Sequence, residues 1–462
     1  MKAHLPRLSF GVFAAWTAFV AMPAARAAVP PPPDASLAIV TAGPGGVRVK
    51  ISDAANRVWL LQSTTNFANW SDSATVKIYN GSFQSRFTAG ESTPGVFFRA
   101  YFDPARQDIF SGIESALRLP VDVFNYASPL LPPSFLVQPI LGQDNMPANN
   151  VTSDPGATLG RVLFYDKRLS TNLTISCSSC HQRDHGFSDP RRFSTGFNGG
   201  LTGRNSMGLS NARWYQRRHF FWDERANTLE DQVLQPIQNP VEMGMTLGAL
   251  PNRLAAEAYY TNLFAHAFGS PTVTSDRISA ALAQFVRSII STHSKYDAGA
   301  GRGFTNFTAE ENLGRQIFLG QVGNATCAAC HGTDNFVPGP GINNNGLENP
   351  YVDKGLGGIT GRVQDEGLFK VPSLRNIQLT APYMHDGRFA TLEQVVEFYN
   401  SGVVNHPNLS PPLRNPPGQP PGVRRLNLSA AQKAALVAFL KTLTDPSIAT
   451  NDKFSDPFNY GD

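Results

Sequence analysis

Residues 177–181 read CSSCH and residues 327–331 read CAACH. These two pentapeptides hold all four cysteines of a 462-residue chain. Cysteines three positions apart sit about one helical turn from each other, and in both copies a histidine follows at once. Three chemistries use cysteine in this way. Four thiolates in two CxxC pairs suit zinc, but zinc leaves both adjacent histidines unexplained. Two local disulfides would close loops so short that they remove little unfolded-state entropy. The third chemistry is attachment of c-type haem, whose signature is CxxCH. There the two thiols add across the porphyrin vinyl groups, and the next residue can bring its imidazole under the iron. Two full matches in one chain favour haem: Cys177 and Cys180 with His181 as proximal ligand, then Cys327 and Cys330 with His331.

The flanks of the two sites repeat as well. Leu159-Gly160-Arg161 lies in a helical pattern (ATLGRVLFYD) before the first site, and Leu313-Gly314-Arg315 lies in another (AEENLGRQIFLG) before the second. The leucine precedes the first cysteine by 18 positions in one copy and 14 in the other. Thr308 with Glu311 makes a capping box. Ser429 and Gln432 cap a last amphipathic helix, whose Leu436, Val437, Phe439, Leu440 and Leu443 share one face. A repeat of helix, loop and CxxCH predicts a mainly α fold with two cytochrome c-like haem domains in tandem, over 156–300 and 301–447, and a tail at 448–462.

The chain before these domains has a different texture. In 37–103, Val47, Val49 and Ile51 alternate with Arg48 and Lys50, the period of a half-buried strand, and Val58, Leu60 and Gln62 continue it. Asn80-Gly81 is a hairpin-turn dipeptide, and FFRAYF (97–102) reads as a last strand. This predicts a small all-β accessory domain of the β-sandwich kind, acting as a spacer or docking surface. Residues 104–155 are rich in Pro, Asn and Asp and read as a wrapping connector with a short helix near 106–117. Residues 28–36 (VPPPPD within them) read as a stiff Pro-rich linker. Lys2 and Arg7, an apolar run from Phe10 to Met22 and Ala25-Arg26-Ala27 make 1–27 a secretory signal peptide cleaved after Ala27. The apolar run is short for a bilayer, so the expectation is a periplasmic protein with no membrane span after cleavage. A net charge of +4 is too mild to indicate nucleic-acid binding.

Two further blocks, "FWDERANTLEDQVLQPIQNPVEMG" (221–244) and "VPSLRNIQLTAPYMHDG" (371–387), complete a pattern that resembles the bacterial dihaem cytochrome c peroxidases and the methylamine-utilisation MauG group. The resemblance covers roughly 156–445. It implies a peroxide-reacting haem at His181 with Gln232 and Glu242 on its distal side and Pro236 lining the pocket. Taken alone, Gln232 reads as helix-surface polarity and Glu242 as a solvated loop charge. Heterolysis of an O–O bond, however, needs a base that moves a proton between the oxygens and donors aimed at the developing charge. The resemblance also places Trp222 between the haems as an electron relay, where packing alone would otherwise account for it. It makes Asn205, Thr380 and Pro382 ligands of a calcium ion, for which oxygen donors are apt.

Two positions depart from the peroxidase pattern. Where those enzymes carry a histidine that blocks the first haem, this chain has Phe197, which implies an open iron; His185 and His219 are the nearby residues that could contradict this. Where they carry a distal methionine on the second haem, this chain has Tyr399, as the MauG group does. A phenolate favours higher oxidation states than a thioether. Tyr399 could instead cap an apolar helix face, and Met384 is the fallback ligand. The expected activity is reduction of hydrogen peroxide with electrons from a small donor protein, a cytochrome c or a cupredoxin. The alternatives are a MauG-like oxidation of a partner protein and a non-enzymatic dihaem electron carrier.

Overall fold

The computed structural model describes the strands between residues 35 and 102 and, apart from residues 114, 121, 326, 338–340 and 462, the chain from 113 to 461. The expected signal peptide, most of the expected Pro-rich linker and most of the helix expected near 106–117 lie outside the described residues. The chain divides into two units, Met1–Gln84 with Ala89–Gln107, and Ser85–Thr88 with Asp108–Asp462.

The strands are β1 (Ala35–Gly43), β2 (Gly46–Asp53), β3 (Val58–Thr64), β4 (Ser71–Lys77), β5 (Ser82–Phe87) and β6 (Phe97–Phe102). They form two three-stranded sheets, in the orders β1-β2-β5 and β4-β3-β6. Val49 and Ile51 of β2 are buried, as their alternation with charged residues requires. In β3 the consecutive Trp59, Leu60 and Leu61 are all buried, so that strand is covered on both faces. β6 runs antiparallel to β3, with Trp59 opposite Phe102. Asn80-Gly81, expected to make a hairpin turn, lies outside the described residues; β4 and β5 on either side of it belong to different sheets.

The second unit is mostly helical: α1 (Asp154–Tyr165), α2 (Cys177–Cys180), α3 (Leu229–Gln238), α4 (Leu250–Ala255), α5 (Ala258–Phe268), α6 (Ser275–Arg287), α7 (Lys295–Ala300), α8 (Ala309–Phe318), α9 (Leu356–Thr360), α10 (Leu392–Glu397) and α11 (Ala430–Lys441). Most of the long helices start at a side-chain cap; α5, preceded by Glu257, does not. Ser153 accepts from the Gly156 amide, Thr228 from Asp231, and Thr274 from Arg277. The capping boxes Thr308/Glu311 and Ser429/Gln432 form as expected. One core gathers Leu163, Phe164, Phe264 and Phe285, with Cys177 packed against it. Another gathers Ile317, Phe318, Phe439 and Leu440, with Cys327 against it.

The two LGR glycines explain how each core closes. A Cβ on Gly160 of α1 would lie 2.0 Å from the carbonyl oxygen of Ala281 in α6 and 2.8 Å from Phe285 Cβ. A Cβ on Gly314 of α8 would lie 1.9 Å from the carbonyl oxygen of Ala435 in α11 and 2.8 Å from Phe439 Cβ. The same glycine thus meets the same Ala-x-x-x-Phe pair in both halves. The helices touch backbone to backbone, which only glycine permits. Gly160→Ala is therefore expected to destabilise the fold by about 1–3 kcal/mol, as overpacking does, because a main-chain carbonyl cannot rotate away. An unchanged urea midpoint for the variant would contradict this packing.

Candidate active site

α2 is a single turn, held by a reciprocal box between Ser176 and Ser179. Its thiols, and those of Cys327 and Cys330, are free. Among the described residues no three His, Cys, Asp or Glu side chains converge on one point, as a zinc tetrahedron requires. Burial pushes the thiols of Cys177 and Cys327 up to about 12. They remain protonated and near the surface of each core.

Each CxxCH histidine is set in the same way. His181 Nδ1 lies 2.9 Å from the Phe187 carbonyl oxygen, and His331 Nδ1 lies 3.3 Å from that of Phe336. A carbonyl only accepts, so Nδ1 can donate there and the ring is oriented through that nitrogen, as in metal-binding imidazoles; a second backbone partner, Met207 for His181 and Pro372 for His331, also meets each ring. Both acceptor residues are non-glycine residues in the left-handed region, Phe187 at φ 60° and Phe336 at φ 55°. Such strain persists where the surrounding structure imposes it, commonly at functional sites. Burial lowers the pKa of His181, and that of His331 to about 4, which keeps both rings neutral. Paired free thiols on one turn, a neutral oriented imidazole and an adjoining cavity fit a covalently held haem at both places.

A cavity of about 560 Å³ lies beside His181. Gln232, Pro236, Glu242 and Trp222 all line it. Gln232 and Pro236 are four residues apart on α3 and so share a face. Glu242 follows in a tight loop built on Asn239, whose carbonyl accepts from the amides of Glu242 and Gly244 at 3.1 and 2.9 Å. The loop is braced from outside by Phe197. Its amide donates to the Glu242 carbonyl at 3.0 Å, and its ring would be 2.5 Å from a Cβ on Gly244, at φ +62°. Gly196 beside it lets the Val241 carbonyl approach to where a Cβ would be 1.6 Å away. Phe197 therefore supports the glutamate loop. His185 and His219 line neither cavity, and His181 is the one histidine among the described residues lining this one. Glu242 is not a solvated charge: burial raises its pKa, with the Arg225 charge working in the opposite direction.

A second cavity, of about 230 Å³, is lined by Cys327, Cys330, His331, Met384 and Tyr399. Tyr399 belongs to a π-turn, Phe398–Gly402, that continues α10. Such local π-geometry often marks functional positions, and burial raises the tyrosine's pKa. Asn205, Thr380 and Pro382 also line this cavity. The Asn205 amide group donates to the carbonyls of Arg191 and Arg192, at 3.1 and 3.3 Å.

The cavities share a wall made by Trp222, residues 205–208 and residues 370–373. Trp222 Nε1 donates to the Asn205 carbonyl at 2.8 Å, and the Trp222 carbonyl accepts from the Lys370 amide at 2.8 Å. Two residues, Lys370 in this wall and His385 beside it, escaped the sequence reading. His385 is buried, stacked on Phe369 at 3.9 Å and edge-on to Trp222 at 6.5 Å. Lys370 lies over the Tyr215 ring, and burial holds its pKa well below the usual lysine range. His385 stands in the quoted HDG block and so carried a signal; an isolated lysine between two motifs carried none.

The family described as di-haem cytochrome c peroxidase matches residues 154–302. A cytochrome c551 peroxidase of Nitrosomonas europaea is 36% identical over 292 residues, covering 62% of this chain and 79% of that protein. A methylamine utilization protein MauG of Methylorubrum extorquens is 34% identical over 315 residues, covering 66% and 82%. Among solved structures, a MauG-like protein associated with microbial copper homeostasis superposes with a TM-score of 0.61 at 36% identity, over 72% of this chain and 99% of that one. The diheme peroxidase BthA from Burkholderia thailandensis shares the fold, with a TM-score of 0.55 at 24% identity over 68% of this chain and 92% of that one.

Proposed function

The chain belongs to the di-haem cytochrome c peroxidase family, and from that premise we propose that it is a dihaem peroxidase reducing hydrogen peroxide to water with electrons from a small redox protein, a cytochrome c or a cupredoxin. In this reading Cys177, Cys180 and His181 hold one haem c, and Cys327, Cys330 and His331 hold the other. Haem c, when bound, supplies an iron that accepts a peroxide ligand and a conjugated ring that passes single electrons. The protein does the remainder. Glu242 takes a proton from one peroxide oxygen and delivers it to the other, and the raised pKa from burial suits a carboxyl that must do both. Gln232 directs its amide at the oxygen on which charge develops. Pro236 fills the wall beside it and excludes water.

The observation that carries the proposal is Trp222 in the wall common to the two cavities, one holding the Gln232/Glu242 pair and the other Tyr399. An electron carrier needs neither the pair nor an open cavity beside His181. The reading extends to tandem cytochrome c-like domains about His181 and His331, to the strand-built first unit as an accessory spacer, to export into the periplasm, and to a calcium ion on Asn205, Thr380 and Pro382. Steady-state peroxide consumption with reduced cytochrome c tests it; no turnover above the haem-free background would end it. Trp222→Phe keeps an aromatic ring and loses the bond to the Asn205 carbonyl. We expect it to slow oxidation of the second site by about tenfold or more, on the scale of 1.4 kcal/mol per decade, with the first encounter with peroxide unchanged in stopped-flow spectra.

A second reading, oxidation of a partner protein's side chains, is favoured by Tyr399 in the second cavity and by the likeness to MauG proteins. Slow turnover with cytochrome c, together with long-lived oxidised states, would favour it over the first.

A further inference from the structure

The second cavity contains two side chains able to bind an iron, Tyr399 and Met384, and one coordination position takes one of them. A thioether coordinates without giving up a proton and a phenol must lose one, so an unrestrained Met384 has the advantage. Asn345 lies against both. Its Nδ2 is 3.5 Å from Met384 Sδ, and its side chain faces the Tyr399 hydroxyl in the same cavity. The orientation of the amide is settled from its other end. Asn345 Oδ1 accepts from the Tyr351 hydroxyl at 3.3 Å, and that hydroxyl is itself anchored, taking the Leu347 amide proton at 2.8 Å and sharing its own with Asn344 Oδ1 at 3.1 Å. With Oδ1 so engaged, the two Nδ2 hydrogens face the sulfur and the phenol, which is the full donor capacity of an asparagine. Met384 adds a restraint of its own, a left-handed backbone at φ 76°, which a non-glycine residue adopts only when its surroundings impose it.

We propose that Asn345 is a positioning residue that selects the ligand of the second haem, holding the Met384 thioether in a hydrogen bond while presenting the Tyr399 hydroxyl. This rests on the reading that Tyr399 is that ligand. Because a tyrosine-bound iron and a methionine-bound iron differ in reduction potential, Asn345 thereby sets whether the second site stores oxidising equivalents or delivers electrons.

The test is optical and EPR spectroscopy of the dihaem protein in the resting state, followed by titration of the second haem's potential. In the unaltered protein the second haem's spectrum is expected to change with Tyr399→Phe and not with Met384→Leu. In an Asn345→Leu background the dependence is expected to reverse: Met384→Leu now changes the spectrum, and the potential of Asn345→Leu itself has risen. Asn345→Asp keeps the acceptor for Tyr351, removes the donors and adds a carboxylate, so if the leucine variant folds poorly the same reversal of ligand dependence is read from the aspartate variant by its spectrum and not by its potential. A spectrum that still depends on Tyr399 alone in both Asn345 backgrounds overturns the selection by Asn345 and leaves the tyrosine reading standing. A spectrum indifferent to Tyr399→Phe in the unaltered protein overturns both, and the single substitution identifies which failed first.

Discussion

Glu242→Gln is expected to lower kcat/KM for peroxide by about 10²–10⁴-fold, the usual contribution of a positioned general base, with both haems still attached. The substitution preserves the volume of the side chain, and the loop on Asn239 that carries it is made by main-chain bonds. What is removed is the site that accepts a proton. The pH profile provides a second readout with a definite sign. Burial raises the Glu242 pKa, and the working base is the ionised form, so activity falls as pH drops through that raised value. The acid limb of the unaltered enzyme therefore lies above the ~4.3 of an exposed glutamate, and the glutamine variant lacks that limb. Phe197→Ala, which unseats the loop without touching the carboxyl, is expected to move the limb toward the exposed value. A glutamine variant with full activity, or with the same acid limb, would show that the proton moves by another route.

The haem sites and the duplication were legible because they are local patterns. A CxxCH needs five consecutive residues, and a capping box needs four. The second half of the duplication was also written in the chain, as AALAQF (280–285) and AALVAF (434–439). It went unread because its meaning depends on a partner about 120 residues away: an alanine-phenylalanine pair matters only where a glycine from α1 or α8 presses on it. Gln232 and Glu242 came from resemblance, since no local rule separates a pocket carboxylate from a solvated one; burial decides that, and burial is a property of the fold. Phe197 was read by the ligand it lacks, while its contact with Gly244 and its bond to Glu242 arise from a loop packing on a loop. Asn345 had no signal at all. Three successive asparagines look like an irregular turn, and only the positions of Met384, Tyr351 and Tyr399 give the third one a task.

Replacing one cysteine pair or the other is expected to divide the reaction into its parts. Cys177→Ser with Cys180→Ser removes the haem beside the Gln232/Glu242 cavity, and peroxide consumption should fall to background, a loss on the order of 10⁶-fold or more if the enzyme is typical. Cys327→Ser with Cys330→Ser leaves that cavity intact. The protein should still react once with peroxide, but steady turnover with reduced cytochrome c should stop if, as proposed, electrons enter through the second site and cross the wall that Trp222 shares between the cavities. The asymmetry is the informative result, since the two pentapeptides are nearly identical and each sits against its own core. A hydroxyl in place of a buried thiol costs stability in both variants, by about 1–3 kcal/mol where it finds no partner, so general damage would weaken both alike. Intact mass reports how many haems each variant carries, and far-UV circular dichroism reports whether its helices persist. If the second variant keeps steady turnover while carrying one haem, electrons reach the first site directly. Trp222 is then a packing residue, and the second cavity serves some purpose other than supply.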